Sequence, residues 1–446
     1  MSGGSYLKKK SFIELLIIFV TLVAMLQPLL TSILNLNDSL TSILKSIDKI
    51  AFLPIFTLAF INICLRKYIY TEKLLLIIFI ILSFIALLSS LMYTHSLVSS
   101  FMQYILTFQG VILFFLLLQI DFKEDFFERY LKLLSIIGVV TILIAFAEFI
   151  KPEVIQNFIH GNNIKEMAVI RGDYRSIISI FSHPELFAWF MGFMFCVNLA
   201  LYLTTGSKKY LYFAIVFLLA VILSLRRKSI LACILVSLIA VLISNKNQSF
   251  KISYFAGAAI LLASSFVVFY DKVIFLYENT VTRYLSNEGF YTPRTILLNE
   301  SLILADSNFP FGTGMGTFGS WMSTVFYSPL YEEIGLSTNY GMTKDFPIFL
   351  TDTYWPMIIA ELGWFGFMFM MLFWGALILK LFKSQLNKPM VLKTHALISI
   401  FALLQLIIES TSSPSLSRSP QIFIVMVLVA VTLKYSYKAS VCRGYN

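Results

Sequence analysis

Seven arginines of this 446-residue chain fall on the side of its apolar runs that is poorer in lysine: Arg171, Arg175, Arg226, Arg227, Arg283, Arg294 and Arg418. A guanidinium is a planar, permanently charged fork that pairs bidentately with phosphate. Arginines gathered on one face therefore point to a phosphorylated, membrane-borne ligand, although chance scatter with surface ion pairs would also place them there. Arg294 sits in the first turn of an expected helix, where a cation opposes the helix dipole, so its role lies elsewhere or in a pair with Glu288 or Glu300. Arg226-Arg227-Lys228 is a very short link between two apolar runs, a place for cations that are paired, face water or snorkel to the interface. Asp352 stands where a long polar stretch returns to apolar sequence. There it could serve as a general base tuned by partial burial, or as the N-cap of the next helix, or as both. Tyr354, Trp355 and Glu361 follow it. His183, in Phe181-Ser-His-Pro-Glu-Leu-Phe187, could carry a proton or simply start a helix ahead of Pro184.

The elements that must position these residues are membrane helices. The chain is 58% hydrophobic and 13% charged, with a mean hydropathy of +0.83, which excludes an ordinary soluble fold. Apolar stretches predict about 12 spans, near 11–34, 50–65, 74–92, 101–120, 131–150, 183–204, 209–225, 229–244, 252–270, 353–379, 395–410 and 420–436. The first is too long for a signal-peptide core and reads as a span. Lys8-Lys9-Lys10 and the basic loops at Arg66/Lys67/Lys73, Lys123/Arg129/Lys132, Lys208/Lys209, Lys246/Lys251 and Lys380–Lys393 share one side. That side is assigned to the cytoplasm, with both termini inside. The net charge of +10 is mostly these lysines and gives no reason to invoke nucleic acid. None of the four cysteines is placed for an extracytoplasmic disulfide, and no pair has metal spacing.

The expectation is thus an all-α polytopic bundle forming one integral membrane domain over 1–446. Two outward segments, 151–182 and the larger 271–351, exceed simple connectors, and loops of that length usually carry function. Within the larger one, Thr292-Pro293 predicts a helix start and Asn308 to Pro310 its end. A glycine-rich stretch, Phe311-Gly-Thr-Gly-Met-Gly-Thr-Phe-Gly-Ser320, comes next. Its Gly314-x-Gly316-x-x-Gly319 matches a dinucleotide fingerprint in letters only, since no βαβ unit precedes it. A turn needing positive φ or close backbone approach is the better reading, and its amides could still add to an anion site. Trp321, Phe326, Tyr327 and Tyr331 could stack on sugars or form loop core.

Four segments, in order over roughly 170–370, resemble the O-antigen ligase and polymerase family of bacterial surface polysaccharide enzymes. They are Arg175 with Phe181-x-His-Pro-x-x-Phe187; Ser224-Leu-Arg-Arg-Lys-Ser-Ile-Leu231; Arg294 with its apolar helix and Phe309-Pro-Phe-Gly-Thr-Gly-Met-Gly316; and Asp352-Thr-Tyr-Trp355 leading into Ala360-Glu-Leu-Gly363. The resemblance implies a donor glycan linked to undecaprenyl diphosphate, glycosyl transfer on the outer face of the inner membrane, and arginines that hold the diphosphate. Ligases of the family typically carry a histidine where this chain has Asp352, which favours a polymerase of repeat units over a ligase acting on lipid A-core.

The expected roles follow. Asp352 and Arg294 are catalytic, and Arg171, Arg175, Arg226, Arg227, Arg418, His183, Tyr354 and Glu361 bind substrate. No metal or cofactor is expected. The partners are the lipid-linked oligosaccharide, membrane lipids and a chain-length regulator protein. A transporter or flippase for the same lipid is the competing class. It would place charges and helix breaks in both halves at mid-membrane rather than on one face.

Overall fold

The computed structural model describes residues 3–33, 40, 47–65, 72–93, 96–160, 170–171, 174–243, 292–385 and 388–443. In chain order its helices are α1 (Gly3–Ile33), α2 (Ile47–Cys64), α3 (Lys73–Tyr93), α4 (Leu97–Leu118), α5 (Phe126–Ile150), α6 (Pro152–His160), α7 (Pro184–Thr205), α8 (Lys208–Leu223), α9 (Arg227–Ile243), α10 (Pro293–Ser307), α11 (Trp321–Val325), α12 (Leu330–Glu333), α13 (Trp355–Gln385), α14 (Met390–Glu409) and α15 (Gln421–Arg443). Among the described residues the only strands are two-residue pieces, β1 (Ile170–Arg171) and β2 (Tyr174–Arg175), paired antiparallel with Ile170 opposite Arg175. The described residues are otherwise helices and their connections.

Among the described residues, seven helices are long and apolar enough to cross a membrane: α3, α4, α5, α7, α13, α14 and α15. They account for seven of the about 12 expected spans. The predicted spans at 209–225 and 229–244 are helices of 16 and 17 residues. At 1.5 Å per residue, 16 residues reach about 24 Å, short of a hydrocarbon core of ~30 Å. In α1 and α2 the apolar stretches are 12–27 and 53–64. The predicted span at 252–270 lies outside the described residues, as do Arg283 and the first part of the larger loop, 271–291.

Burial sorts the helices. Most of α7 and α15 is enclosed by other helices, and α7 packs against α8, α9 and α14, while α15 packs against α4 and α14. By contrast α3 exposes Leu74, Ile77, Ile80, Phe84, Leu87 and Leu91 at helical spacing. An apolar stripe of that length suits contact with lipid. Local signals set the ends. His183 caps α7 by accepting from the Glu185 amide, Pro184 takes the first helical position, and Gly206 closes the helix at φ +72°. Thr292 caps α10 through the Thr295 amide, and α10 ends at Asn308, as its sequence predicts.

At one end of the bundle, cations are tied to carboxylates and carbonyls. Glu14 accepts from the Lys123 amide at 2.6 Å and from Arg129 at 2.8 Å. Lys380 pairs with Glu72 at 2.7 Å, and Lys438 with Asp121 at 3.0 Å. Lys434, almost fully buried, donates to the Leu118 and Ile120 carbonyls.

At the other end, segment 292–354 packs on the helix ends around a core of its own, built on Leu297, Leu304, Phe318, Tyr331, Leu336, Met342 and Leu350. The stitching is done by backbone. α13 is broken at Gly363 (φ +65°), and the glycine-rich stretch enters the break. The Thr313 amide donates to the Ala360 carbonyl at 2.8 Å and the Gly314 amide to Glu361 at 3.0 Å. On the other flank, Ser100 donates to the Met315 carbonyl at 2.8 Å, and Ser90 accepts from the Met315 amide at 3.2 Å. Trp364 of α13 donates to Asp306 of α10 at 2.7 Å. Gly312, Gly314, Gly316 and Gly319 all have positive φ, the turn-and-approach role expected of them.

Candidate functional site

The site forms where five pieces of chain meet: the start of α7, the α8–α9 link, the start of α10, the approach to α13, and the α14–α15 connection. Each contributes a charge. His183 and Glu185 come from α7, Arg226 and Lys228 from the link and α9, Arg294 from α10, Asp352 from the approach, and Arg418 from the connection.

Two ion pairs are formed. Lys228 reaches Glu185 at 2.5 Å, with both side chains mostly buried. Arg294 Nη2 reaches Asp352 Oδ2 at 3.2 Å, each side chain about a third exposed. Arg226 lies between the pairs, within electrostatic reach of Glu185, Arg294 and Asp352. Its Nε and Nη2 are buried and find no hydrogen-bond partner among the described residues, and the same holds for Arg294 Nε. Buried donors left unpaired are costly and usually mark the place of an absent acceptor. Burial, the main cause, also lowers the Arg226 pKa from its ordinary value, with the neighbouring Arg294 acting the same way and Glu185 opposing it.

The link that presents Arg226 is strained. Leu225, a buried non-glycine residue, sits at φ +56°, a conformation that costs about 1–3 kcal/mol. Ser224 braces the turn by accepting from the Arg226 amide at 3.2 Å. Below β2, buried Glu148 organises the chain leading to α7. It accepts from the Ile178 amide at 3.0 Å, the Ser179 amide at 2.6 Å and Gln156 at 2.6 Å.

His183 Nδ1 accepts the Glu185 amide at 3.3 Å, so this nitrogen carries no proton. The ring is 44% exposed, yet surrounding protein and then the nearby Arg226 push its pKa down to about 4. His183 is thus a neutral helix cap near pH 7, the helix-start role foreseen for it. Asp352 lies three residues ahead of α13 and does not cap it. Its carboxyl is raised above the ordinary 3.8 because burial outweighs the opposing pull of Arg294.

Of the residues expected from sequence, Arg226, Arg294, Arg418, His183 and Asp352 come together. Arg227 begins α9 beside Arg226. Arg171 and Arg175 stand in β1 and β2, opposite Tyr174 and Ile170 respectively, and their side chains lie outside what is described. Two residues expected to bind substrate are enclosed. Tyr354 is fully buried, its hydroxyl 3.9 Å from the Met370 sulfur. Glu361 is also buried and uses Oε1 to accept the Thr317 and Phe318 amides at 2.9 and 3.2 Å. Helix direction turns them into the bundle and under the glycine turn. Tyr327 and Tyr331 are loop core as well, bonded to the Met342 carbonyl (2.9 Å) and the Gly319 amide (2.9 Å), whereas Trp321 and Phe326 remain exposed. Lys228 and Glu185 received no role from sequence. The signal was present, because both lie inside the motifs that drew attention to Arg226 and His183.

Beside the cluster opens a cavity of about 290 Å³, bounded by α1, α4, the start of α7, the glycine turn and the α14–α15 connection. Arg418 belongs to both, since it lines the cavity and acts electrostatically on His183 and Asp352.

The fold and site define a class: a helical membrane protein with a cation-rich cluster and a small cavity of mixed polar and apolar lining at one end of its bundle. Compared with protein-family models and with curated proteins, the chain finds no match.

Proposed function

We propose that the protein is a glycosyltransferase of the O-antigen polymerase type. It joins repeat units carried on undecaprenyl diphosphate, with the site on the periplasmic face of a bacterial inner membrane and both termini in the cytoplasm. The observation that carries this reading is the pair of guanidiniums, Arg226 and Arg294, each with buried N–H groups that find no partner among the described residues, in a site that also holds a carboxylate. Two forks suit a diphosphate, and their fixed charge would stabilise it as it leaves, with no metal required.

In this reaction a hydroxyl of the incoming repeat unit attacks the anomeric carbon of the donor glycan. The new C–O bond forms as the bond from that carbon to the diphosphate oxygen breaks, and the electron pair leaves with the diphosphate. Arg226, Arg294 and Arg418 receive that charge. Asp352, anchored to Arg294 through Oδ2, takes the hydroxyl proton on Oδ1. A transporter would need charge in the middle of its spans, whereas these charges lie at helix ends. A chain-length regulator would act on the product rather than on this chemistry.

The direct test is purified protein in lipid nanodiscs with a synthetic polyprenyl-diphosphate repeat unit. A product ladder spaced by one repeat supports the reading. Transfer only when lipid A-core is added would make the protein a ligase, and movement of intact substrate across liposomes without product would make it a transporter. The pH profile adds a second check. A base must be ionised, and burial raises the Asp352 pKa, so the acid limb of kcat/KM is expected above pH 3.8. Asp352→Asn should abolish turnover across the range. A limb below that value, or an active Asp352→Asn protein, would remove Asp352 as the base.

A further inference from the structure

The cavity beside the cluster differs from it in chemistry. Gln27, Gln103, Gln109, Ser182 and Ser320 line it, with the half-exposed Trp321 on one side, and Arg418 is its one charged wall residue. Glutamine is expensive in an apolar bundle unless it has work to do, and here three glutamines from α1 and α4 face one space. Two are held in place by the loop and connection: the Met322 amide donates to Gln103 at 3.2 Å, and Gln109 donates to the Ser417 carbonyl. A diphosphate would find only Arg418 as positive charge here, and a lipid tail, though it could meet Met25, Leu106, Phe181, Leu186 and Met357, would leave the glutamine amides and serine hydroxyls without partners. Amides and hydroxyls with an aromatic face suit an uncharged, polyhydroxylated ring. The volume stands at the lower edge of small-molecule sites, ~300–1,000 Å³, so it fits a short piece of glycan rather than a length of polymer.

We propose that this cavity is a subsite for a neutral sugar of the repeat unit, with Arg418 as the joint between the sugar and the diphosphate held at Arg226 and Arg294. This inference rests on the glycosyltransferase reading and adds to it the charge class of the sugar and the residues that select it. Trp321 supplies the stacking face. Gln27 and Gln109 supply hydrogen bonds, and away from Arg418 the wall offers no cation to pair with a sugar carboxylate, which favours an uncharged ring.

The experiment uses the full-length protein in nanodiscs and two soluble probes. One is the repeat-unit oligosaccharide released by mild acid from the lipid-linked pool of the source cells, followed by saturation-transfer NMR. The other is inorganic pyrophosphate, followed by calorimetry. The oligosaccharide is expected to receive saturation at the ring protons of a neutral sugar. Trp321→Ala should weaken its binding about five- to tenfold and leave pyrophosphate binding unchanged. Arg294→Ala should do the reverse. Because Trp321 is exposed, its replacement leaves the packed core intact, and Gln27→Leu serves as a second probe of the same wall. The subsite is overturned if the oligosaccharide shows no transfer while pyrophosphate binds, if Trp321→Ala and Gln27→Leu both bind it as the parent does, or if the contacted sugar carries a carboxylate. Oligosaccharide binding without any pyrophosphate binding would instead overturn the diphosphate reading and leave the sugar pocket standing.

Discussion

Replacing Arg226 or Arg294 by alanine is expected to lower the rate of polymer formation by about 10²–10³, with the loss in kcat rather than in KM. The reasoning starts from the unpaired N–H groups. Arg226 has two buried nitrogens, and Arg294 one, without a partner among the described residues. Their binding capacity is therefore held in reserve for a group that arrives with the substrate and gains charge as the bond breaks. A guanidinium with its donors already engaged would contribute much less. Arg294→Lys keeps the charge but loses the planar fork, and should recover only part of the rate. Arg294→Ala also releases Asp352 from its 3.2 Å partner, so its pH profile should shift to a different acid limb, whereas that of Arg226→Ala should change less. Lys380→Ala, which breaks an ion pair at the opposite end of the bundle, serves as the control and should stay near the parent rate. Ladder formation within a factor of a few of the parent in both arginine variants would end the leaving-group assignment.

Gly312→Ala and Gly363→Ala should each destabilise the protein by ~3 kcal/mol or more, seen as lower folded yield and a lower Tm in detergent. Both residues have positive φ, and they stand back to back. A Cβ on Gly312 would lie 2.4 Å from the Ala360 carbonyl oxygen and from the Gly363 nitrogen. One on Gly363 would lie 2.4 Å from the Pro310 oxygen. The obstacles are backbone atoms, and the Ala360 and Pro310 oxygens among them are themselves hydrogen-bonded across the break, so they cannot move aside as a side-chain tip could. Gly335 is the matched control. It has φ +72° with nothing within 4 Å of an added Cβ, so Gly335→Ala carries only the conformational cost, about 1–2 kcal/mol. Equal Tm losses in Gly312→Ala and Gly335→Ala would show that the close approach does not matter.

How much of this was legible beforehand varies with the kind of residue. Helix ends were, because caps are local: Thr292-Pro293 and His183-Pro184 each start a helix as their side chains dictate. The gathering of Arg226, Arg294, Arg418 and Asp352 was legible in type, since charges in an apolar chain are few and stand out. Span number was less so. Hydropathy registers apolar runs, but α8 and α9 are only 16 and 17 residues long, and hydropathy alone does not separate such helices from full crossings. The burial of Tyr354 and Glu361 was not legible, because helical phase near a break cannot be read from a motif; only the kink at Gly363 shows which way they turn. The glutamines of the cavity were passed over because attention went to charge, although uncharged amides in membrane helices carry nearly as strong a message.

The meeting of the glycine turn with the broken α13 also bears on motion. A segment anchored by amides of 313–318 to Ala360 and Glu361, and by Ser100 to α4, cannot swing as a flap without tearing a membrane helix. Its amide protons should then exchange with solvent only on global opening, far more slowly than those of an ordinary surface loop. On the polymerase reading proposed above, a lipid-linked substrate would then reach a preformed mould from the bilayer, and the timing of each addition would be set by lipid diffusion and product departure rather than by the closing of a lid.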